Sequence, residues 1–424
     1  MKYESVRGMR DILPGEIGYW KQVEEKVREV ATCFYYREIR LPLMEHSELF
    51  SRAIGEETDV VNKEMYTFLD KKNRSLTLRP EATASVARAY LEHGLHVTEP
   101  FQKLFYIGPM FRYEKPQKGR SRQFHQYGVE AIGSLDPALD ADVISFAWTL
   151  MDMLGLSGLS LRLNSIGCAE DRQRYKKALS GYFATHIDEM CTDCRRRYDS
   201  NPLRILDCKR SHCQLYIQQA PASIDYLCAD CDRHFAGVQG YLDSLGLDYG
   251  IDARLIRGLD YYTRTVFELI SKDLGAQDAL LGGGRYDGLV QLLGGPATPG
   301  VGFAGGMERL ILVLQKKNSS FGREKRLDLF LAALGEEGRL LALTLAQSLR
   351  SQGISVDLDY RGRSLRKQLG YADQVEARYL IVLGEDELSS KQGRIKNMDK
   401  REEYEISLTA DAIAHIVHVS KHGD

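Results

Sequence analysis

Two patterns of hydrophobic and polar positions divide the chain. The first part begins with helical spacing in WKQVEEKVREVATCFYY, where Val23, Val27 and Val30 fall on one stripe. Beyond the polar stretch KKNSSFGREKR, strand-like segments alternate with helical ones, from LDLFLAAL to YLIVLG. Such alternation predicts parallel strands joined by right-handed crossovers. We therefore expect a small α/β domain over residues 327–424, after a larger domain over residues 1–325.

The larger domain is predicted to mix helices and strands. A helix is expected over RPEATASVARAYLEHG, with Pro80 in its first turn and Gly94 at its end. REIRLPLMEH is typical of an extended segment that is broken at its proline. Residues from about 170 to 247 contain charges, helical stretches and most of the cysteines, which indicates a largely helical insertion. A sheet is expected to resume over residues 253–270.

The segment KLFYIGPMFRYEKPQKGRSRQFHQYGVE predicts two β-strands joined by a strongly basic loop. Side chains alternate between the faces of a strand. Arg112 and Glu114 are therefore expected on one face of the first strand, and Phe124, Gln126 and Glu130 on one face of the second. A purely structural hairpin would bury an apolar face instead. This polar face predicts binding of a small polar ligand that includes a phosphate.

Composition and charge restrict the function classes. The 424 residues are 43% hydrophobic and 27% charged, with a formal net charge of −2, as in globular proteins of two or three domains. Any nucleic-acid binding must then come from local basic patches such as Lys115, Lys118, Arg120 and Arg122. The segment MKYESVRGMRD does not resemble a signal peptide, and the most apolar helix candidate is too short to span a bilayer. We expect a cytoplasmic protein without membrane association.

Six of the eight cysteines lie in the predicted insertion and include two C-x-x-C pairs. They are Cys191, Cys194, Cys208, Cys213, Cys228 and Cys231. Disulfides are uncommon in cytosolic proteins, which favours zinc, but the gap between the two pairs is long for a compact zinc ribbon. The sequence leaves both a structural zinc and free thiols open, and no metal ligand is assigned among the site residues.

Arginines and glycines in separate segments are candidates for phosphate binding. Planar guanidinium groups, as in Arg112, Arg257 and Arg309, suit phosphate oxygens. GVGFAG at 300–305 formally matches a dinucleotide fingerprint, but no strand precedes it and no βαβ unit surrounds it. A strand of small residues that lets a ligand approach closely, followed by a helix from Gly306, explains it better.

Two further pairs of residues allow both a structural and a binding interpretation. Glu81 and Thr83 fall in the first turn of the helix predicted after Arg79, where Glu81 can cap the helix or bind an ammonium group. Tyr261 and Tyr262 can belong to the core or donate hydrogen bonds to a ligand nitrogen.

These segments together resemble class II aminoacyl-tRNA synthetases, and within that class the histidyl-tRNA synthetase family. EIRLPLMEH resembles class II motif 1, FRYEKPQKGRSRQFHQYG motif 2 and GVGFAGGMERL motif 3. RGLDYYTRTVFE and GGGRYDGL resemble two histidine-specific signatures, and the match runs from RGMRDILP through the C-terminal domain. The resemblance implies an α+β fold: an antiparallel-sheet catalytic core with a helical insertion, followed by an α/β anticodon-binding domain.

The resemblance also implies a two-step reaction. The carboxylate of L-histidine attacks the α-phosphate of ATP, which yields histidyl-adenylate and pyrophosphate, and the acyl group then passes to tRNA(His) with release of AMP. Mg²⁺ on the phosphates and a homodimer formed through the motif 1 region are expected.

Two other classes remain as alternatives. One is a synthetase-like histidine-binding regulatory subunit of ATP phosphoribosyltransferase, which typically lacks the anticodon domain and the catalytic residues. The other is a plain nucleic-acid-binding module, which would explain the basic loop but not the carboxylate-lined strand face.

Roles in catalysis and ATP binding follow from the resemblance. Arg257 and Arg112 would be the catalytic groups that clamp the α-phosphate and the carboxylate. Phe124 and Arg309 would sandwich the adenine, and Glu114, with Arg112, would contact the nucleotide.

The resemblance assigns the other substrates in the same way. Histidine would be bound by Glu81, Thr83, Gln126, Glu130, Tyr261 and Tyr262. The first three would hold its α-amino end and the others its imidazole, with Tyr286 as a further candidate. The basic loop would face the tRNA acceptor stem through Gln117 and Arg120, and the C-terminal domain would bind the anticodon.

Overall fold

The computed structural model describes residues 3–56, 58–117, 119–271, 279–317, 321–322 and 326–421. The chain divides into two compact units, Met1–Gly322 and Arg323–Asp424. Lys118 of the predicted basic patch and residues 323–325 at the predicted domain boundary lie outside the described residues.

Strands and helices are numbered along the chain. The strands are β1 Arg37–Glu38, β2 Met44–His46, β3 Tyr66–Leu69, β4 Ser75–Leu78, β5 Gln102–Phe111, β6 Gln123–Ile132, β7 Leu159–Ser165, β8 Tyr249–Ile251, β9 Thr263–Ser271, β10 Ala279–Arg285, β11 Gly300–Gly306, β12 Leu329–Ala333, β13 Val356–Leu358, β14 Tyr379–Leu383, β15 Gln392–Asn397 and β16 Glu403–Ser407. The helices are α1 Pro14–Cys33, α2 Ser47–Ile54, α3 Thr83–Glu92, α4 Leu95–Thr98, α5 Pro137–Met153, α6 Ala169–Phe183, α7 Thr192–Ser200, α8 Ser211–Ile217, α9 Ala229–Ser244, α10 Leu289–Leu292, α11 Met307–Lys317, α12 Gly335–Ser351, α13 Leu365–Gln374, α14 Glu385–Ser390 and α15 Ala410–Lys421. Short 3-10 turns lie at Ile187–Glu189, Pro202–Asp207 and Ser223–Tyr226, and a π turn lies at Val60–Glu64.

An eight-stranded sheet forms the centre of the first unit, in the order β1-β5-β6-β11-β10-β9-β7-β8. In this order, the six strands β5, β6, β11, β10, β9 and β7 pair antiparallel with their neighbours. At the two edges, β1 pairs in parallel with β5 and β8 pairs in parallel with β7. The predicted hairpin is β5 and β6, in which Gln102 pairs with Ile132 and Phe111 with Gln123. The predicted antiparallel core is thus confirmed.

The two faces of this sheet bury different residues because side chains alternate along each strand. On the helix face, Val129, Phe267 and Phe303 pack in a hydrophobic core with α1, α5 and α11. On the opposite face, here called the pocket face, β6 carries Gln126 and Glu130. Strand β6 therefore joins an apolar core on one side to polar groups on the other.

Three elements of the first unit differ from the sequence-based expectation. The extended segment around Pro42 is indeed broken, and its halves enter different sheets: β1 joins the main sheet, whereas β2 joins the small sheet β2-β4-β3. Helix α3 begins at Thr83, so Pro80 and Glu81 precede it instead of forming its first turn. The strand predicted over 253–270 begins only at Thr263, because backbone groups before it bond to other segments. The carbonyl of Arg257, for example, accepts a bond from a side chain of the insertion.

The segment between β7 and β8 is helical and contains α6 to α9. It has a hydrophobic core of its own, which includes Tyr175, Leu179, Phe183 and Ile205 together with four cysteines. Because β7 pairs with both β8 and β9, the segment leaves and re-enters the sheet at one edge.

The second unit is built on a five-stranded sheet in the order β13-β12-β14-β15-β16. β12 pairs in parallel with β13 and β14, as the alternating pattern predicts. β15 and β16 extend it antiparallel beyond the predicted part. Among the helices of the described residues, none is long and apolar enough to cross a membrane.

Candidate active site

A pocket of about 540 Å³ opens on the pocket face of the main sheet. Most of the predicted site residues line it: Glu81, Thr83, Arg112, Glu114, Arg120, Phe124, Gln126, Arg257, Tyr261, Tyr262 and Arg309. They come from the start of α3, the β5–β6 hairpin, the loop before β9 and the start of α11. Segments far apart in sequence therefore form a single site.

Three arginines from separate segments share this pocket. The Nε atom of Arg112 donates to the carbonyl of Pro80 at 2.9 Å, and Nη1 of Arg309 donates to the carbonyl of Ala279 at 3.0 Å. Arg257 forms an ion pair with Glu268. Burial, together with the positive charge of neighbouring arginines, lowers the pKa of Arg309. The pocket thus brings together three guanidinium groups that can bind an anionic ligand.

The basic loop differs in detail from the expected strand geometry. β5 ends at Phe111, so Arg112 and Glu114 lie just beyond the strand and not on its face. Glu114 Oε2 accepts a hydrogen bond at 2.9 Å from Nη1 of Arg120, which therefore lines the pocket beside it. Gln117 is exposed at the turn of the loop. The two residues predicted to contact tRNA thus have different surroundings.

Glu130 lies deeper than the pocket lining and is 1% exposed. Its carboxylate accepts hydrogen bonds from Thr83 Oγ1 at 2.6 Å and from the Tyr286 hydroxyl at 2.5 Å. Burial raises the pKa of Glu130 to about 8, and the two hydrogen bonds partly oppose this shift. A Cβ atom at Gly302 would overlap this carboxylate, so the glycine of the neighbouring strand makes room for it.

Glu81 caps the helix that follows it and also faces the pocket. Its two carboxylate oxygens accept the backbone N–H groups of Thr83 at 2.7 Å and Ala84 at 2.9 Å. The Tyr261 hydroxyl lies 3.5 Å from Glu81 Oε2. Burial raises the pKa of Glu81. A capping carboxylate with remaining acceptor capacity can still bind a ligand donor.

Two polar atoms at the pocket are buried without a partner. Among the residues that the structure describes, neither Gln126 Oε1 nor Arg257 Nε has a hydrogen-bond partner. Buried polar atoms in native proteins are nearly always paired. Because both residues line the pocket, these two atoms are available to a ligand.

Some lining residues were not singled out from the sequence. Glu268, the ion-pair partner of Arg257, is a lone charge in the apolar strand segment TVFELI, and that contrast could have identified it. Asp207 and Lys209 reach the pocket from the insertion. Nothing in their local pattern indicates this, since only the packing of the insertion brings them there.

Family models match both units of the chain. The model described as histidyl-tRNA synthetase matches residues 8–310. The model described as anticodon binding domain matches residues 328–415.

Similar proteins match over nearly the whole length. A histidine–tRNA ligase of Caldanaerobacter subterraneus is 49% identical over 406 residues, covering 96% of this chain and 97% of the relative. One from Halothermothrix orenii is 50% identical over 408 residues, with coverage of 96% and 97%. The solved structure of apo S. aureus histidyl-tRNA synthetase has a TM-score of 0.81 and 39% identity, and covers 98% of this chain and 99% of that one.

Proposed function

The chain belongs to the histidyl-tRNA synthetase family, and from this premise we propose how its pocket binds the substrates of that reaction. The chain ligates L-histidine to tRNA(His) in an ATP-dependent reaction, as a class II aminoacyl-tRNA synthetase. The observation that carries the assignment of residues is the convergence of Arg112, Arg257 and Arg309 on one pocket beside two buried carboxylates.

Arg257 and Arg112 act on the first chemical step. A carboxylate oxygen of histidine forms a bond to the α-phosphorus, the bond from that phosphorus to the bridging oxygen breaks, and pyrophosphate leaves. Negative charge grows on the phosphoryl oxygens, so fixed cations and positioning supply most of the catalysis. No general base is needed because the carboxylate is already ionised. A ribose hydroxyl oxygen of the tRNA then forms a bond to the acyl carbon, the bond from that carbon to the phosphate oxygen breaks, and AMP and the hydroxyl proton are released.

The amino acid binds at the deep end of the pocket. Glu81, Thr83 and Gln126 hold the α-ammonium group, which is supported by the buried carboxylate of Glu81 and the unpaired Gln126 Oε1. Glu130 and Tyr262, with Tyr261 and Tyr286, bind the imidazole. An amino acid without ring nitrogens would leave these buried groups unpaired, a large penalty that gives specificity.

The nucleotide binds nearer the hairpin and α11. Phe124 and Arg309 sandwich the adenine, while Glu114 contacts the nucleotide. The Arg112 guanidinium lies 5.3 Å from the centroid of the Phe124 ring. That cation–π contact supports the ring as a platform for a flat ligand.

Mg²⁺ accompanies the ATP phosphates. The carboxylates of Glu114 and Glu268 line the pocket, and oxygens are the ligands that Mg²⁺ prefers. When bound, the ion neutralises phosphate charge. Exchange should require Mg²⁺, and Glu268→Gln should raise the concentration needed for half-maximal rate; an unchanged requirement would remove Glu268 from this role.

We also propose a homodimer formed through the small sheet. Four large apolar side chains there are exposed: Leu43, Met44, Phe68 and Leu69. Exposed large apolar side chains are often found at interaction surfaces. Sedimentation should give a dimer that Phe68→Glu weakens, and a monomeric wild type would contradict the proposal. Because histidyl-tRNA synthetases act in translation, we also propose that the protein lies in the cytoplasm.

The two units of the chain have separate functions. Residues 1–325 would form the adenylate and residues 327–424 would bind the anticodon, with Gln117 and Arg120 near the acceptor end. The regulatory-subunit alternative is not favoured, because the similar ligases match over nearly the full length and the anticodon-binding domain is present.

Amino-acid-dependent ATP–pyrophosphate exchange tests the function directly. Among the twenty amino acids only histidine should support exchange, and tRNA(His) should be charged. Deletion of Leu327–Asp424 should reduce charging far more than exchange. Equal loss of both, in a core that circular dichroism shows to be folded, would contradict the division of labour.

A further inference from the structure

Four buried cysteines converge inside the helical insertion. This thiol cluster consists of Cys191, Cys194, Cys208 and Cys213. Their Sγ atoms all lie within 4.8 Å of one another. Sγ of Cys191 lies 3.8 Å from that of Cys208, and Sγ of Cys194 lies 3.9 Å from that of Cys213. The cluster joins the N-terminus of α7, the end of the turn Pro202–Asp207, and α8.

These spacings match a tetrahedral metal site. Zinc–thiolate bonds are about 2.3 Å long, so the sulfurs of a regular tetrathiolate lie about 3.8 Å apart. A disulfide would need about 2.0 Å. We propose that the thiol cluster binds one structural zinc ion.

The surroundings of the cluster favour a metal over thiols that merely pack. Cysteines that act only as small hydrophobic groups have no reason to aim four sulfurs at one point. The backbone N–H of Cys191 donates to Cys213 Sγ at 3.3 Å, a bond that stabilises a thiolate ligand. Tyr175, Phe183 and Ile205 enclose the cluster in an apolar core.

The two C-x-x-C pairs do not form one site. Cys228 and Cys231 group instead with Cys168 and Asp171. The oxygens of Asp171 already accept the N–H groups of Cys168 at 3.2 Å and Cys228 at 3.0 Å, as well as a bond from Arg174. This second group therefore ties α6 to α9 through hydrogen bonds, and it supplies a control for the first.

The zinc site would also fix a contact with the loop before β9, which carries Arg257. Between Cys194 and Cys208, Arg204 donates to the carbonyl of Arg257 at 3.1 Å and forms an ion pair with Asp260. Arg197 of α7 donates to the carbonyl of Arg204 at 3.1 Å. The metal thus acts as a positioning element for Arg257. This consequence rests on the proposed role of Arg257, whereas metal binding does not.

Metal analysis of the full chain tests the site. Protein expressed with zinc and purified without chelator should contain about one equivalent per chain, with four thiolate ligands. Cys208→Ser should reduce the content by about one equivalent. The exposed Cys33→Ser and the second-group Cys231→Ser should retain it. Cobalt(II) in place of zinc should give thiolate charge-transfer absorption that Cys208→Ser lacks.

Two results would overturn the proposal. One is wild-type protein with less than about a tenth of an equivalent of metal; the other is Cys208→Ser with undiminished content. If Cys208→Ser does not fold, wild-type protein decides: titration with a mercurial should release zinc as four thiols react, and no release contradicts the site. For the positioning role, metal removal should lower kcat of exchange more than it raises KM for histidine.

Discussion

The two faces of the main sheet both bury charge, but they treat it differently. On the helix face, Arg285 is fully buried and donates to both carboxylate oxygens of Asp140, at 3.0 and 2.8 Å. It also donates to the carbonyls of Ser134 at 2.9 Å and Asp136 at 3.0 Å. All three of its nitrogens therefore have protein partners, and the charge is enclosed by the fold.

On the pocket face, the charged groups are only partly paired. Arg257 has Glu268 as an ion-pair partner, but its Nε atom has no hydrogen-bond partner among the described residues. The buried carboxyl group of Glu130 is bonded by two neutral hydroxyl groups, and no cationic side chain of the described residues pairs with it. Leaving a buried polar group unpaired costs stability. The comparison shows that protein groups satisfy all three nitrogens of the structural Arg285. On the pocket face, by contrast, the charged groups keep hydrogen-bonding capacity that a ligand can use.

The largest expected effect comes from breaking the buried ion pair between Arg285 and Asp140. Asp140→Asn removes the nearer of the two carboxylates paired with the Arg285 guanidinium, which cannot lose its proton, and leaves only Asp287 at 3.3 Å. We expect the free energy of unfolding in urea titrations to fall by about 3–5 kcal/mol. As a control, Glu29→Gln at the exposed Lys26–Glu29 pair should change it by less than about 1 kcal/mol. Similar small losses in both variants would contradict the distinction between the two faces.

Arg257→Ala should affect chemistry more than stability. Removing one preorganised charge should lower the rate of ATP–pyrophosphate exchange about 10²–10³-fold, while the affinity for histidine falls much less. An ATP–pyrophosphate exchange assay measures the effect on the rate, and equilibrium binding of histidine measures the effect on affinity. An unchanged exchange rate would remove Arg257 from the mechanism.

Glu130→Gln should weaken histidine binding by about 1–3 kcal/mol, because a buried ligand group loses its partner. It should also alter the pH dependence of stability. The folded chain keeps a proton on Glu130 up to about pH 8, whereas the unfolded chain releases it near 4.5. Stability from this group is therefore complete below pH 4.5 and is lost as the pH rises through about 8.

Thermal unfolding across this pH range checks the sign. The wild type should lose more stability between the two pH values than Glu130→Gln, which cannot titrate. Parallel profiles for the two proteins would show that Glu130 is ionised in the folded chain.

The smallest effect concerns the rim of the pocket. Arg120→Ala removes a partly exposed ion pair with Glu114, worth about 1 kcal/mol or less. If Arg120 contacts the nucleotide, KM for ATP in exchange should rise a few-fold. If it contacts the tRNA, only KM for tRNA in charging should rise. Gln117→Ala, in the same loop but outside the pocket lining, is the matched control for the effect on KM for ATP.

Local periodicity by itself determined the elements and much of the site. The alternation of polar and apolar residues in β6 indicated a polar face, and the strand–helix alternation after residue 327 indicated parallel pairing in the second unit. These predictions hold because periodicity of 2 or 3.6 residues is a property of neighbouring positions. The motifs then added which residues to expect in the pocket.

Only the tertiary structure decided which distant residues meet. Glu130 is bonded by Thr83, 47 residues away, and by Tyr286, 156 residues away. Cys191 and Cys194 group with Cys208 and Cys213 and not with the similar pair at Cys228 and Cys231. No local pattern encodes such contacts, because they depend on how whole elements pack to bury their apolar faces, and that packing sets the distances between side chains.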